Sequence, residues 1–191
     1  MMYVRAFLPW IVYAVVPSGS WQWGALAAFV VAVFLIAQQR RAGHPADAVI
    51  IETGSAVFFA ALAVVAFTDP HSGLHPYSAG LANGMLAVVA LISLAVSKPF
   101  TLGIAKQSTP REYWDQPAFL RTNMIITSVW AGSFAVTATA VAFVAHAGDG
   151  HRVAILVTQI AGIVVPVTFT RHYVAHVQAK AAQAAQAAQA G

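Results

Sequence analysis

The amino-acid sequence predicts an all-α polytopic membrane helix bundle with about six transmembrane helices and no soluble domain. Of its 191 residues 59% are hydrophobic and only 8% are charged, whereas soluble domains carry about 25% charged residues. The mean hydropathy is +0.71. The apolar residues also fall into separate blocks, most of which approach the roughly 20 residues that a helix needs to cross a hydrocarbon core of about 30 Å. Together these observations exclude a water-soluble globular protein.

Six apolar blocks supply the predicted helices. The first block is short, and a helix formed by it would cover only about 17 Å. It must tilt, thin the bilayer or dip in without crossing, and a signal peptide is the alternative interpretation. Trp21 and Trp23 open the second block, as expected for aromatic residues at a membrane interface. The predicted spans are residues 6–16, 21–37, 48–67, 80–96, 124–147 and 153–170.

A single transmembrane domain is predicted for residues 1–176. The one sizeable loop, residues 97–118, is predicted to form an elbow at the membrane surface between the fourth and fifth spans. Its segment Thr109-Pro110-Arg111-Glu112 matches a capping box with proline at the first helical position, and Pro117 is expected to begin the fifth span. Residues 177–191 form an Ala/Gln-rich tail, which we expect to extend the last helix and to which we assign no function.

The basic residues are distributed unequally between the two sides of the predicted bundle. By the positive-inside rule this asymmetry predicts a multi-pass protein with both termini in the cytoplasm. Basic residues at the membrane edge favour contact with anionic lipid headgroups, and their scattered placement argues against nucleic-acid binding. Arg152 lies alone on the outer side, and the cytoplasmic side holds Arg5, Arg40, Arg41, Lys98, Lys106, Arg111, Arg121, Arg171 and Lys180.

Several chemical functions are excluded or disfavoured by residues that the chain lacks. It has no cysteine, which excludes disulfides, thiolate metal sites and a cysteine nucleophile. No lysine lies near mid-span, where a retinal Schiff base would form, and no histidine lies at the depth that a bis-histidine haem requires. No nucleophile–base pair or metal triad is recognisable. We therefore expect no enzymatic activity, no metal and no cofactor.

Glu52 is the one ionisable residue predicted inside a span. A charge placed in the bilayer centre is costly, so such residues are functional candidates by default. Here the favoured interpretation is a carboxylate that snorkels or pairs with Arg40, Arg41 or Lys98 on the same side. The functional alternative is a proton or cation site.

Uncharged polar residues mark candidate cavity or packing positions. Asn83 could hydrogen-bond to Gln159 in the sixth span. Pro166 leaves the carbonyl of Gly162 without its helical partner and should kink the last helix. Thr168 or a neighbouring helix could satisfy that carbonyl, and a small polar cavity beside Gln159 is the functional alternative to simple packing.

The fifth block carries four residues on one helix face. Asn123, Thr127, Trp130 and Phe134 are spaced by 4, 3 and 4 positions, which aligns their side chains. The face is either the wall of a cavity or a seam between helices, and the sequence does not separate these two interpretations.

Two pairs of small residues predict close helix contacts. Gly80 and Gly84, and likewise Ser128 and Gly132, are each separated by three residues, a spacing that lets helices approach in membranes.

Several short motifs follow one another along the chain: Phe7-Leu8-Pro9, Lys98-Pro99, a proline-containing loop ending at Pro117, the Asn123–Trp130–Phe134 run and Arg171-His172. In these motifs and in the order and lengths of its spans, the region 3–173 resembles the intracellular septation protein A family of small polytopic bacterial inner-membrane proteins. The Lys98-Pro99-Phe100-Thr101 stretch and the long loop are most similar to actinobacterial relatives of unassigned function. The resemblance implies a non-enzymatic protein of envelope maintenance and cell division in the bacterial inner membrane, and it supplies no catalytic residues.

Two functional hypotheses follow. The first is a protein that acts through contacts with other inner-membrane proteins, with a homo-oligomer left open. The second is a carrier or channel for a small solute or lipid, with a polar cavity among the third to sixth spans. The candidate contact residues are Lys98, Phe100, Arg111, Trp114 and Arg121, and the candidate cavity or packing residues are Glu52, Asn83, Asn123, Thr127, Trp130, Gln159 and Pro166.

Overall fold

A computed structural model describes Arg5 and residues 7–44, 49–147 and 152–190. Within these ranges the regular elements are all helical and no strand occurs, which confirms the all-α class. Ala6 and Ala48, the predicted first residues of two spans, lie outside the described residues, as does most of the turn before Arg152.

Seven α-helices follow one another in the described chain. They are α1 (Leu8–Val15), α2 (Trp21–Arg41), α3 (Ile50–Thr68), α4 (Ser78–Ala95), α5 (Phe100–Lys106), α6 (Pro117–His146) and α7 (Arg152–Ala190). Short 3-10 turns lie at Ser18–Ser20, His75–Tyr77 and Arg111–Tyr113. Five of the helices (α2, α3, α4, α6 and α7) are long and apolar enough to cross a membrane, so the chain is a multi-pass α-helical membrane protein.

The first apolar block forms a helix of only eight residues, about 12 Å long. Arg5, just before α1, donates a hydrogen bond to the Gln38 side chain near the end of α2. After α1, Val16 lies so close to Gly24 that a Cβ atom on this glycine would be 3.1 Å from the Val16 Cβ atom. The segment from Arg5 to Val16 therefore runs antiparallel to α2 along most of the length of α2. The helix α1 alone is shorter than the thickness of a membrane.

Hydrogen bonds between helix termini define the two ends of the bundle. At one end, Gln39 of α2 contacts both Glu52 of α3 and Gln107 after α5. We call this the basic end, because the termini of α2 and α5 that meet there carry Arg40, Arg41 and Lys106. At the opposite end, the Trp21 indole N–H donates to the carbonyl of Pro70 at 3.0 Å.

The end of α4 is closed by an αL residue that is not glycine. Ser97 has φ 54°, a conformation in which glycine is the usual residue. The N–H of Lys98 donates to the carbonyl of Ser93, and the N–H of Ser97 donates to that of Leu94, both at 2.9 Å. The Ser93 hydroxyl also accepts from the N–H of Phe100 at 3.2 Å. These bonds fix the turn from α4 into α5.

The predicted close helix contacts are correct at one position only. A Cβ atom on Gly80 would lie 3.3 Å from the carbonyl oxygen of Ala138, so α4 and α6 are in tight contact there. Gly84 and Gly132 have nothing within 4 Å of such an atom, and the prediction is wrong for them. Gly162 is tighter than Gly80, since a Cβ atom there would meet the Thr137 side chain of α6 at 2.2 Å.

Pro166 lies within α7 without ending the helix. It removes the donor that would pair with the carbonyl of Gly162. The Ser133 hydroxyl of α6 donates to this carbonyl at 2.8 Å. Of the two expected donors, Thr168 and a neighbouring helix, the second is correct, and the donor is a serine that the sequence had not singled out.

The predicted capping box in the elbow is wrong. The 3-10 turn Arg111–Tyr113 has Pro110 at its N-cap and no side-chain capping bond, because the residue before Arg111 is a proline and Thr109 lies one position too early. The expectation for Pro117 is confirmed, since α6 begins at that residue.

Candidate functional site

A cavity of about 500 Å³ lies between α1, α4, α6 and α7. Its volume falls in the range of small-molecule sites. Trp21, His75 and Ser78 contribute to its lining, which places it towards the opposite end of the bundle. Most of its surface is apolar, with aromatic side chains from Phe7, Trp10, Trp130 and Phe134.

Two carboxamides, Asn83 and Gln159, line the cavity at a similar depth. Asn83 lies about 8 Å along α4 from its first residue, and Gln159 about 10 Å along α7 from its own. The hydrogen bond predicted between them does not form: Asn83 Nδ2 donates instead to the carbonyl of Ala79 at 3.0 Å. The Gln159 side chain makes no hydrogen bond to the described part of the chain. The two amides thus form a polar layer whose bonding capacity is largely unused.

The cavity is open on the side between α1 and α7. Ile11, Leu156 and Ile163 all contribute to its lining, yet they remain 45%, 57% and 47% exposed. Because α7 is a candidate membrane span, we expect hydrocarbon around this opening. A molecule dissolved in the bilayer can therefore reach the cavity sideways.

The charge of the cavity is close to zero. Among the described residues that line it there is no Asp, Glu, Lys or Arg, and the titratable side chains are Tyr13 and His75. Both are near the opposite end, where the His75 ring lies 4.9 Å from that of Trp21 and Tyr13 interacts with the Ser78 side chain. Nothing deeper in the cavity would balance a buried ionic group.

An aromatic layer forms the floor of the cavity towards the basic end. Trp130 stacks on Phe7 at 5.4 Å and lies 5.4 Å from Phe134. Its indole N–H donates to the Thr170 hydroxyl of α7 at 3.2 Å. Below it, Phe100 contacts the Trp130 ring edge-on at 6.3 Å. Phe100 is only 1% exposed, so this candidate contact residue belongs to the core and not to a surface for partners.

A polar seam between α5 and α6 continues below this floor. The hydroxyls of Thr101 and Thr127 are 2.8 Å apart, and Thr101 also donates to the backbone carbonyl of Asn123 at 3.1 Å. The Asn123 side-chain amide donates to the carbonyl of Phe119 at 2.9 Å. All four residues of the predicted face of α6 are buried. Asn123 and Thr127 lie in this seam, whereas Trp130 and Phe134 also line the cavity. The seam interpretation therefore holds for the first two residues and the cavity-wall interpretation for the last two.

Glu52 does not pair with the basic residues expected for it. It is 3% exposed, and its Oε1 accepts a hydrogen bond from Gln39 Nε2 at 2.8 Å. Gln39 Oε1 in turn accepts from Gln107 Nε2 at 3.3 Å. Arg5, before α1, bonds to Gln38, the neighbour of Gln39. This cluster ties α2, α3 and the end of α5 to the chain before α1.

The elbow presents a fixed indole at the basic end. The Trp114 ring lies 5.3 Å from Lys106 Nζ and 5.4 Å from the Arg111 guanidinium. Its N–H donates to the carbonyl of Thr109 at 2.9 Å. Of the other candidate contact residues, Lys98 and Arg121 are exposed.

No group of three or more His, Asp or Glu side chains that could hold a metal ion occurs among the described residues. Comparison with protein-family models, with curated proteins and with solved structures gives no significant match.

Sequence reasoning missed several polar residues that complete the structure. Gln39, Gln107 and Thr101 each bridge two elements, and Ser93 and Ser133 satisfy backbone groups on another element. A position close to a span end or a proline could have identified Gln39, Ser93, Thr101 and Gln107, whereas Ser133 lies mid-span and carries no such signal.

Proposed function

We propose that this chain is a membrane-embedded binding protein or carrier for a small, membrane-soluble molecule. The observation that supports the proposal is the laterally open cavity with a layer of unused carboxamides. It corresponds to the carrier hypothesis, although the cavity is built from α1, α4, α6 and α7.

The use of carboxamides elsewhere in the bundle supports this function. An unsatisfied polar group in hydrocarbon costs several kcal/mol, and Gln39 and Asn123 both use their side-chain amides in hydrogen bonds to the protein. Gln159 faces an apolar cavity without such a partner. A bound molecule with a polar group would supply the missing bonds.

The floor of the cavity determines what kind of carrier this could be. Phe7, Trp130 and Phe134 separate the cavity from the seam at the basic end, so access in this conformation comes from the side or from the opposite end. Transport across the membrane would require the aromatic layer to rearrange, whereas binding requires no rearrangement.

Mass spectrometry of what the protein retains tests this function. The protein is extracted into polymer nanodiscs directly from the expressing membrane, and the associated small molecules and lipids are quantified per protein. Ala79→Phe places a ring in the cavity, and Ala135→Phe, at an exposed position of α6, is the matched control. We expect one class of molecule to be enriched with the wild type and the control and lost with Ala79→Phe. Equal profiles for all three proteins would contradict the proposal.

We also propose a second candidate function, in which the elbow docks another inner-membrane protein. The specific observation is that Lys106 and Arg111 both lie over the Trp114 ring; Lys98 and Arg121 are also exposed. The septation-protein resemblance adds a role in envelope maintenance or division, and the asymmetry of basic residues favours both termini in the cytoplasm. The combined substitution of Arg111→Ala and Trp114→Ala should abolish recovery of partners without lowering the membrane level of the protein. Unchanged recovery would exclude the elbow as the docking surface.

A further inference from the structure

We propose that the cavity selects an uncharged amphipathic molecule, whose hydroxyl or carbonyl group bonds to Asn83 and Gln159 and whose apolar body lies on the aromatic floor. This inference rests on the proposed binding function and adds the chemical class and the orientation of the ligand.

The absence of charge argues for a neutral ligand. An ionic group buried without a counter-charge is strongly disfavoured. Among the described residues of the lining, no acidic or basic side chain other than His75 is present to balance one, and His75 is at the opposite end beside Trp21. A phosphate, carboxylate or ammonium group at the depth of Gln159 would remain uncompensated.

The hydrogen-bonding capacity of the amide layer specifies the polar group. A carboxamide has two N–H donors and one carbonyl acceptor. Among the described residues, Asn83 uses one N–H for the carbonyl of Ala79, which leaves one donor and its oxygen, while Gln159 retains all of its capacity. Donors and acceptors are therefore both present. A hydroxyl group can bond to both kinds, and a carbonyl group can accept from the donors.

The side chains below the amide layer determine the orientation. Ile163 and Val167 follow Gln159 at intervals of four residues and, like it, line the cavity. They share its helix face, with Val167 about 12 Å nearer to the basic end. On α4, Leu86 stands one turn below Asn83 in the same lining. These aliphatic groups and the Trp130 ring surround an apolar body, while the polar group stays at the amides.

Photolabelling with matched probes tests the proposed class. Three probes share one diazirine-bearing alkyl chain and end in a hydroxyl, a carboxylate or a methyl group. Each is incorporated at the same low mole fraction into nanodiscs that contain the full chain. Labelled peptides are then mapped by mass spectrometry. The variants are the double substitution Asn83→Leu with Gln159→Leu and, as a control, Ser128→Leu, which removes an exposed hydroxyl of α6.

We expect the hydroxyl probe to label the cavity walls on α4 and α7 about tenfold more than the other two probes, corresponding to about 1.4 kcal/mol of selectivity. The preference should disappear in the double variant and persist in Ser128→Leu. Equal cavity labelling by the carboxylate or the methyl probe would overturn the proposed class and leave the binding function standing. Failure of all three probes to concentrate at the cavity would overturn both.

Discussion

The two halves of this bundle use polar side chains in opposite ways. At the basic end, Glu52, Gln39 and Gln107 are joined in a chain of hydrogen bonds, and Thr101 and Thr127 close a seam between α5 and α6. In the half that holds the cavity, carboxamides of the same chemistry are not joined to each other. The residue type alone therefore does not reveal whether a polar group serves folding or binding.

Unpartnered polar atoms are concentrated in the cavity half. Among the described residues, the buried side-chain nitrogen and oxygen atoms without a hydrogen bond are Trp10 Nε1 and Gln22 Oε1. Trp10 lines the cavity, and Gln22 is next to Trp21 near the opposite end. Native interiors satisfy nearly all such atoms. This difference supports the proposal that the cavity half binds a small molecule.

The largest loss of stability is expected from truncating Phe100, the ring that packs beneath the cavity floor at the basic end. Phe100→Ala removes a fully buried ring that packs on Trp130, and such changes cost about 3–5 kcal/mol. Thermal unfolding in one fixed detergent should show a large loss of stability. Tyr113→Ala, at an exposed position of the elbow, should change the midpoint little. A small loss of stability for Phe100→Ala would mean that the region beneath the floor is not a packed core.

The contact between α6 and α7 offers a second, smaller perturbation. Gly162→Ala inserts a methyl group where the Thr137 side chain already stands, and overpacking of this kind costs about 1–3 kcal/mol. Gly132→Ala, at a glycine with open space around it, should leave the unfolding temperature unchanged. Equal midpoints for the two variants would contradict the close approach of these helices.

The seam itself should respond to loss of one hydroxyl. Thr127→Val keeps the shape but removes the hydrogen bond to Thr101, a loss of about 1 kcal/mol. Thr139→Val removes an exposed hydroxyl that bonds only within α6 and is the control. If both variants unfold at the wild-type temperature, the seam does not contribute to stability and the contrast between the halves fails.

The smallest effect on stability is expected at the cavity. Gln159→Leu removes an amide that has no bond to the described protein, so the unfolding free energy should change by no more than about 0.5 kcal/mol. Unfolding of the ligand-free protein measures this. A loss as large as that of Thr127→Val would show that Gln159 has a structural partner and would weaken the functional interpretation.

The fold was predictable because hydrophobic block length determines it. The α6 start at Pro117 and the burial of the Trp130 face follow from local patterns. The extension of the two longest helices beyond their apolar blocks was also predictable, since Pro117 was expected to begin α6 and the tail to continue α7. α7 continues to Ala190 through the Ala/Gln-rich tail, whose residues are good helix formers.

The candidate site was predictable in its residues but not in its connections. Asn83 and Gln159 were identifiable as polar groups within spans, yet whether they bond to each other depends on how far apart α4 and α7 stand. Phe7, just before α1, and Trp10 of α1 line the cavity between these two helices. No local pattern in the sequence encodes that distance. Phe100 was misplaced for a related reason, because α5 folds back into the bundle.

The most direct test of the contrast between the halves is the shift in unfolding temperature caused by a neutral ligand. A long-chain alcohol is titrated into detergent-solubilised wild type, Gln159→Leu and Thr127→Val. A ligand present at 100 times its dissociation constant stabilises by about 2.7 kcal/mol. We expect the alcohol to raise the midpoint of wild type and of Thr127→Val by the same amount, and that of Gln159→Leu much less. Equal shifts for all three proteins, or no shift for wild type, would contradict the assignment of the carboxamide layer to ligand binding.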